Sequence, residues 1–407
     1  MAYQTVTKTS YGSRVKNSFK GIGSGIMMII IATVLLFWNE GRAVKMTKAL
    51  KETEKVTVEM PDINIVDPQF EGKVVHANGT STTECIIKDD AYGVSENAVK
   101  LNRTVEYYQW VEHQEQETKD KIGGGQETVT TYTYEKKWVS RPENSSKFAD
   151  PEYKSSNHIL VEVANANQIA DVVTFGAYTL PSFAVGAISG GIPAAVNMSE
   201  ETIGQWNESL NAARKQYSNN KDDLNMVTVD GNTIYFGVNP STPSIGDMRI
   251  TFTKVNPVND ISLIAQVSGN TFTEYVAKNG KSISAVSMGT VSAEDMFAQK
   301  HSANKTITWI IRILGILLCI GGFKSIFGMI DTLLKVLPFL SKIASVGTTL
   351  ISWVLGLVWS LVVIALGWIV YRPILGIALL AAAAALIIFL SKKAKDTSDS
   401  EPLTEVQ

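Results

Sequence analysis

Cysteine is almost absent: Cys85 and Cys319 are the two in 407 residues, and Cys319 sits inside an apolar run. No disulfide can therefore staple the polar middle of the chain, which is long enough to bury a core without one. The compartment stays open on this count. Histidine is nearly as scarce. His76, His113, His158 and His301 are scattered without metal-ligand spacing, and His113-Gln-Glu-Gln-Glu lacks the second histidine of a zinc helix. Gly186-Ala-Ile-Ser189-Gly190 misplaces the serine for a nucleophile elbow, which needs one residue between glycine and serine. No phosphate loop is present. The carboxylate pairs Asp89-Asp90 and Asp222-Asp223 adjoin turn residues or a helix end, where solvation explains them. These absences predict no catalytic residue, no cofactor and no metal ligand, hence a protein that is not an enzyme.

Excess positive charge is what the middle of the chain lacks. Residues 40–305 carry 25 basic and 34 acidic side chains, a net of −9; the remainder carries 12 and 5, a net of +7, and together they give −2. An acidic middle is repelled by phosphate backbones, which excludes nucleic acid as a partner. Charge also disappears from long runs. About 20 apolar residues cross a bilayer, and residues 21–39, 306–323, 343–371 and 373–391 meet that length with Arg312 as their one charge. The last two share the corner Tyr371-Arg372-Pro373, which reads as a helical hairpin. Phe37, Trp38 and Asn39 are not the small residues of a cleavage site, so the first run reads as a retained anchor.

Orientation follows from Lys and Arg in the short flanks. One side carries Lys8, Arg14, Lys16 and Lys20, Lys324, Lys335 and Lys342, and Lys392, Lys393 and Lys395; the short loop opposite carries Arg372. The expected organisation is a cytoplasmic N-terminus (1–20), helix 21–39, an extracytoplasmic α+β domain (40–305, with room for two subdomains), helix 306–323, a cytoplasmic loop (324–342), helices 343–371 and 373–391, and a cytoplasmic tail (392–407). The fold class is thus a multi-pass α-helical membrane protein with four transmembrane helices and a large β-rich domain between the first two. Arg312 lies roughly 9 Å inside its span, six residues at 1.5 Å each. Snorkelling to the headgroups is the leading reading and an ion pair within the bundle the other.

In the insert, residues 40–55 read as a helix continuing out of the first span. Residues 104–112 and 128–139 flank Gly123-Gly124-Gly125 and predict a long β-hairpin with a charged, solvated tip. Trp110 and Trp138 on that hairpin are expected in the core, with a penalty of about 3–5 kcal/mol on truncation to alanine. Residues 226–229 and 233–236 flank Asp230-Gly231-Asn232, a second hairpin signal. Strands follow at 248–253, 261–267, 271–276 and 281–288, while 197–221 and 292–300 read as helices. The uncharged stretch 172–199 reads as buried core or a linker, ahead of a membrane-dipping or partner-binding element; Pro181, Pro193 and four glycines argue against a fifth span. Gly21-Ile-Gly23-Ser-Gly25 opens the first span, where helix packing is its expected role. Six acceptor sequons, Asn78-Gly-Thr and Asn144-Ser-Ser among them, matter only where a glycosylation machinery meets the insert.

Several stretches together carry a family resemblance. Asn39-Glu-Gly-Arg-Ala43 follows the first span, then come Glu71-Gly-Lys-Val-Val-His76, Tyr92-Gly-Val94 and Leu101-Asn-Arg-Thr-Val-Glu-Tyr-Tyr-Gln-Trp-Val-Glu112. Tyr132-Thr-Tyr134, Trp138, Ser146-Lys-Phe148, Asn239-Pro240, Pro243, Gly246-Asp247, Arg249 and Phe252 continue it, and Ser292-Ala-Glu294, Trp309, Arg312 and Tyr371-Arg-Pro373 end it. In that order they resemble the LUMA family (transmembrane protein 43-like); residues 168–204 depart from its pattern. The resemblance implies the four-span architecture, no enzymatic activity, and a self-associating membrane organiser or scaffold. Its implied partners are the lipid bilayer, further copies in a homo-oligomer, and lamin- or emerin-like proteins if the source is eukaryotic. The implied location is the endoplasmic reticulum and inner nuclear membrane in a eukaryote, or the cytoplasmic membrane in a bacterium. The alternative is a membrane sensor or transporter-like protein with a ligand-binding extracytoplasmic domain.

Overall fold

The structure, a computed structural model, describes residues 3–334, 338–374 and 377. The α-helices assigned among the described residues are α1 (Tyr11–Val56), α2 (Ser182–Ala187), α3 (Glu200–Tyr217), α4 (Ala293–Leu334) and α5 (Pro338–Tyr371). The chain forms two units. One gathers the N-terminal residues, Lys51–Thr118 and Thr128–Ala298; the other gathers Lys8–Leu50, Lys119–Glu127 and the described residues from Gln299 onward.

The first unit is built on two large sheets. The eight-stranded sheet runs, edge to edge, Tyr3–Thr9, Gln126–Val139, Lys100–Asp120, Met248–Val255, Thr233–Phe236 and Val227–Asp230, with Ala166–Ile169 and Gly191–Pro193 added at its flanks. In the seven-stranded sheet Val258–Ser268 pairs with both Ala285–Met288 and Val74–Thr82, the second pairing running from Val258 opposite Thr82 to Gln266 opposite Val74. That extra pairing closes five strands into a ring and removes their edges. The expected Asp230-Gly231-Asn232 turn is present: Asp230 faces Thr233, and Gly231 takes φ +59°, which a side chain rarely adopts.

One apolar cluster fills the unit and draws on both sheets, with Leu101, Val105, Ile234, Phe236, Ile250 and Phe252 from the first and Val75, Leu263, Val267 and Phe272 from the second. Residues 172–199 enter this core. Val173, Phe175, Tyr178, Leu180, Ala184, Val185 and Ile188 are all buried, in and beside two short strands and α2. The core reading of that uncharged stretch therefore holds; Gly176 turns the chain between the two strands at φ +60°, and Pro181 precedes α2. Helix α3 starts where Ser199 accepts from the Thr202 amide at 3.1 Å, with Glu200 and Glu201 in the first turn and Arg214 and Lys215 in the last, as the helix dipole favours. Asn211 then holds the following loop, donating to the Leu224 carbonyl at 2.8 Å and accepting from its amide at 3.0 Å.

The long hairpin pairs further than its composition suggests. Its strands run Lys100–Asp120 and Gln126–Val139, so most of the charged stretch expected at the tip is strand. Val105, Tyr107 and Gln109 form its buried face. Trp110 and Trp138 instead lie on the other face and are half-buried. Trp110 meets Tyr153 edge-on at 4.8 Å, and Trp138 packs on Tyr108 at 5.2 Å under the Arg249 guanidinium at 4.5 Å. The period-two pattern fixes two faces but not which one meets the core, and the Val105–Tyr107–Gln109 set is the one buried. Truncating either tryptophan should accordingly cost about 2 kcal/mol, below the full-burial value.

Asp247 is the most consequential buried charge of this unit. It accepts from the Tyr235 hydroxyl and, at 2.7 Å, from the Ser244 amide, and a Cβ on Gly237 would overlap its carboxylate. Burial pushes its carboxyl above the usual 3.8, against the lowering effect of the two hydrogen bonds. A raised folded value means the folded state holds this proton more tightly. Its stabilising contribution is complete below 3.8 and is lost as pH rises through the folded value. Denaturant titrations of the full chain at pH 4 and pH 7 should therefore show the wild type losing stability relative to Asp247→Asn on going up in pH; a constant difference would refute the burial argument.

In the second unit α1, α4 and α5 are long and apolar enough to cross a membrane, over Tyr11–Val56, Ala293–Leu334 and Ser345–Tyr371. The expected fourth span, 373–391, and the tail, 392–407, lie outside the described residues apart from 373, 374 and 377. The extension 40–55 continues α1, as expected, while the short helix expected at 292–300 is the start of α4, which runs on to Leu334 through much of the expected loop 324–342. The hairpin tip, 119–127, also belongs here. Arg14, 7 % exposed, pairs with Asp120 at 2.8 Å and donates to the Gly124 and Gly125 carbonyls at 2.9 and 3.2 Å. Gly123 and Gly124 take φ +88° and +80°, and a Cβ on Gly124 would overlap the Tyr11 ring.

Candidate functional site: a charged node in the helix unit

The first apolar run ends in Asn39-Glu40-Gly41-Arg42, and every side chain of this motif is committed. Asn39 and Glu40 are fully buried. A carboxylate in that position demands donors, and two helices supply them. Arg312 of α4 donates through Nε to Glu40 Oε1 at 2.7 Å and through Nη2 to Oε2 at 2.8 Å; Trp368 of α5 donates through Nε1 to Oε2 at 2.8 Å. The forked geometry is the one that planar guanidinium and carboxylate groups favour. Arg312 is further held against two indole rings, Trp309 at 5.0 Å and Trp368 at 5.6 Å.

Arg312 is therefore held in the bundle by an ion pair instead of reaching away from it. The snorkelling expectation gives way to the bundle ion pair, with Glu40 as the carboxylate that sequence reading did not place beside it. Backbone continuity explains the miss. Glu40 reads as the first charge beyond a span, whereas α1 continues as one helix to Val56 and keeps it inside the bundle.

A second layer lies one turn away. Asn39 Nδ2 donates to the Thr308 carbonyl at 3.0 Å, and its Oδ1 accepts from Arg42 at 3.2 and 3.3 Å. Arg42 also reaches Asn304 Oδ1 at 3.1 Å and Thr308 Oγ1 at 2.9 Å, while Asn304 Nδ2 donates to the Ala43 carbonyl at 3.1 Å. Gly41 and Gly367 complete the fit by lacking a Cβ, which would strike the Tyr371 ring in one case and the Glu40 side chain in the other. Asn304 is buried in this network.

The node borders a cavity of about 330 Å³ in the helix unit, lined by Thr47, His301, Asn304, Lys305, Trp309, Arg312, Trp368 and Arg372 among others. Among the described residues of the first unit the histidines are tied up singly. His76 bridges Glu59 at 2.7 Å and the Val291 carbonyl at 2.9 Å, His113 pairs with Glu135 at 2.9 Å, and His158 stacks on Tyr217 at 4.0 Å. Burial lowers the His158 imidazole from its usual value. Among the described residues no three His, Cys, Asp or Glu side chains converge as metal ligands.

Comparison with known proteins gives the same ordering of motifs a wider footing. A family model described as Transmembrane protein 43 matches residues 107–373. Human Transmembrane protein 43 is 27% identical over 397 residues, covering 95% of this chain and 93% of its own. The mouse protein is 28% identical over 372 residues (89% and 87%), and the Drosophila melanogaster homolog 26% identical over 388 residues (91% and 94%). No solved structure matches the chain. With the match running through the hairpin, the sheets and the Arg312 node to the Tyr371-Arg372-Pro373 corner, the chain belongs to the transmembrane protein 43 (LUMA) family.

Proposed function

We propose that the protein is a non-enzymatic membrane scaffold that self-associates through its helices and presents the β-rich domain to protein partners. One observation carries this reading: the buried polar groups are spent on holding the fold. Among the described residues the Tyr178 hydroxyl and Arg214 Nε are the buried side-chain polar atoms without a partner. The node itself joins three helices and leaves its carboxylate fully coordinated, which suits a fixed strut rather than a reacting group. In a eukaryote the resembled family places such a scaffold in the endoplasmic reticulum and inner nuclear membrane, with lamin- or emerin-like partners; in a bacterium it would serve the cytoplasmic membrane. Crosslinking the full chain in its native membrane should trap dimers or larger homo-oligomers. A monomer at all crosslinker concentrations refutes the self-association, and robust hydrolase or transferase activity abolished by a point substitution in the domain refutes the non-enzymatic reading.

The topology belonging to this proposal is four spans, cytoplasmic termini and an extracytoplasmic domain, supported by the Lys and Arg count. Impermeant thiol labelling of single-cysteine variants at Lys8, Ser146 (exposed, beside the buried Ser145) and Thr404 should mark only position 146 in intact cells; labelling at Thr404 would mean a miscounted span. A fourth variant, Ile122→Cys, reads the hairpin tip, where Ile122 is 91% exposed. The charge count predicts that it labels with position 146, which breaks the Arg14–Asp120 pair. Labelling with Lys8 would instead keep that pair and carry polar strands through the hydrocarbon, which requires protein or water along their edges.

A further inference from the structure

We infer that the cavity beside the Glu40–Arg312 node is a phosphate site that takes the headgroup of an anionic phospholipid. The inference is independent of the scaffold reading. Its first support is unspent charge. Lys305 of α4 and Arg372, just past the end of α5, line one cavity, and neither side chain has a hydrogen-bond or ion-pair partner among the described residues. Arg312 adds a donor, because Glu40 occupies its Nε and Nη2 and leaves Nη1 without a partner there. Glu40 neutralises one of the three lining cations and leaves two in excess. Arginine and lysine converging on a concave, partly apolar space match the chemistry of a phosphate oxyanion.

The second support is the wall. Trp309, 53% exposed, and Trp368 line the same space, and their rings already hold the Arg312 guanidinium. Indole side chains of this kind collect at the level of lipid headgroups, where one edge is wet and the other meets acyl chains. At about 330 Å³ the cavity has the volume of a small-ligand pocket. Exposed Ile307, Ile310 and Ile313 on the same turns of α4 offer apolar surface to the chains of the lipid whose phosphate is held. A soluble phosphate would use the cations but gain nothing from that surface, so the lipid source is favoured.

The test uses the full chain in detergent micelles, titrated with phosphatidylglycerol, phosphatidylcholine or sn-glycerol 3-phosphate and read by native mass spectrometry. Phosphatidylglycerol should bind at least tenfold more tightly than phosphatidylcholine, and glycerol phosphate should not compete with it at equal concentration. Each cation near a membrane surface contributes about 1 kcal/mol toward an anionic lipid, so Lys305→Gln combined with Arg372→Gln should weaken phosphatidylglycerol binding about 30-fold. Neither residue holds the fold through a partner, and an unchanged unfolding midpoint for the double variant confirms that its loss is one of binding. Equal binding of the two lipids, an unaltered affinity in the folded double variant, or glycerol phosphate binding as tightly as the lipid would each overturn the assignment.

Discussion

Replacing Arg312 with leucine should destabilise the full-length protein by about 3–5 kcal/mol, because it leaves the Glu40 carboxylate fully buried with one indole donor. Glu40→Gln should be milder: the amide oxygen still accepts from Arg312 or Trp368, but the guanidinium then lacks its counter-charge. The informative variant is the double one. Replacing both charges with leucine removes two desolvated ions together, and such swaps are often neutral or stabilising. A double-mutant cycle on guanidinium unfolding in micelles should thus show strong coupling between positions 40 and 312. Additive losses would mean that the two side chains do not meet in the membrane. The same variants separate functions. A change in ion or solute flux with assembly intact in Arg312→Leu would move the protein toward the sensor or transporter-like alternative, whereas loss of assembly without any flux fits a strut.

Much of this architecture was legible from charge and periodicity. Apolar runs with Arg312 as their one charge marked three of the helices, β-branched and aromatic alternation marked the hairpin strands, and Asp-Gly-Asn marked the Asp230–Thr233 turn. Composition also placed 172–199 in the core, since prolines and glycines at that density cannot span a bilayer. What escaped were contacts between residues distant in sequence. Glu40 and Arg312 are separated by 272 positions, and each looks self-explanatory alone, one as a flank and one as a snorkelling charge. Strand Val74–Thr82, buried at Val74, Val75, His76 and Ala77, went unread for a related reason. It is buried on both faces over Val74–Ala77, so its polar and apolar residues do not alternate there. The reach of the hairpin pairing was missed because Glu112–Asp120 is charged, and strand pairing there depends on the backbone ladder rather than on burial.

Gly25→Ala should lower the stability of the helix unit by about 1–3 kcal/mol, the range for forcing atoms into a closed contact. A Cβ at Gly25 would sit 2.5 Å from the Gly322 carbonyl oxygen and 2.9 Å from Ile326 Cγ1, and one at Gly322 would sit 2.6 Å from Ile29 Cγ1. At this crossing α1 and α4 approach backbone to backbone. Lipid offers helices no hydrophobic drive to associate, so such close approach through small residues is a main source of their affinity. The obstructing atom is a helix carbonyl, which cannot swing aside as a flexible side chain could. Gly23, two residues away in the same motif, has nothing within 4 Å of its Cβ position. There, alanine should be neutral or stabilising by up to about 1 kcal/mol, through the backbone entropy that glycine loses in a helix. The pair of substitutions is chemically identical and differs only in what the added methyl meets. SDS-titration midpoints of Gly25→Ala and Gly23→Ala should therefore fall on opposite sides of wild type. Equal shifts for the two would mean that helix propensity, and not the α1–α4 contact, governs this motif.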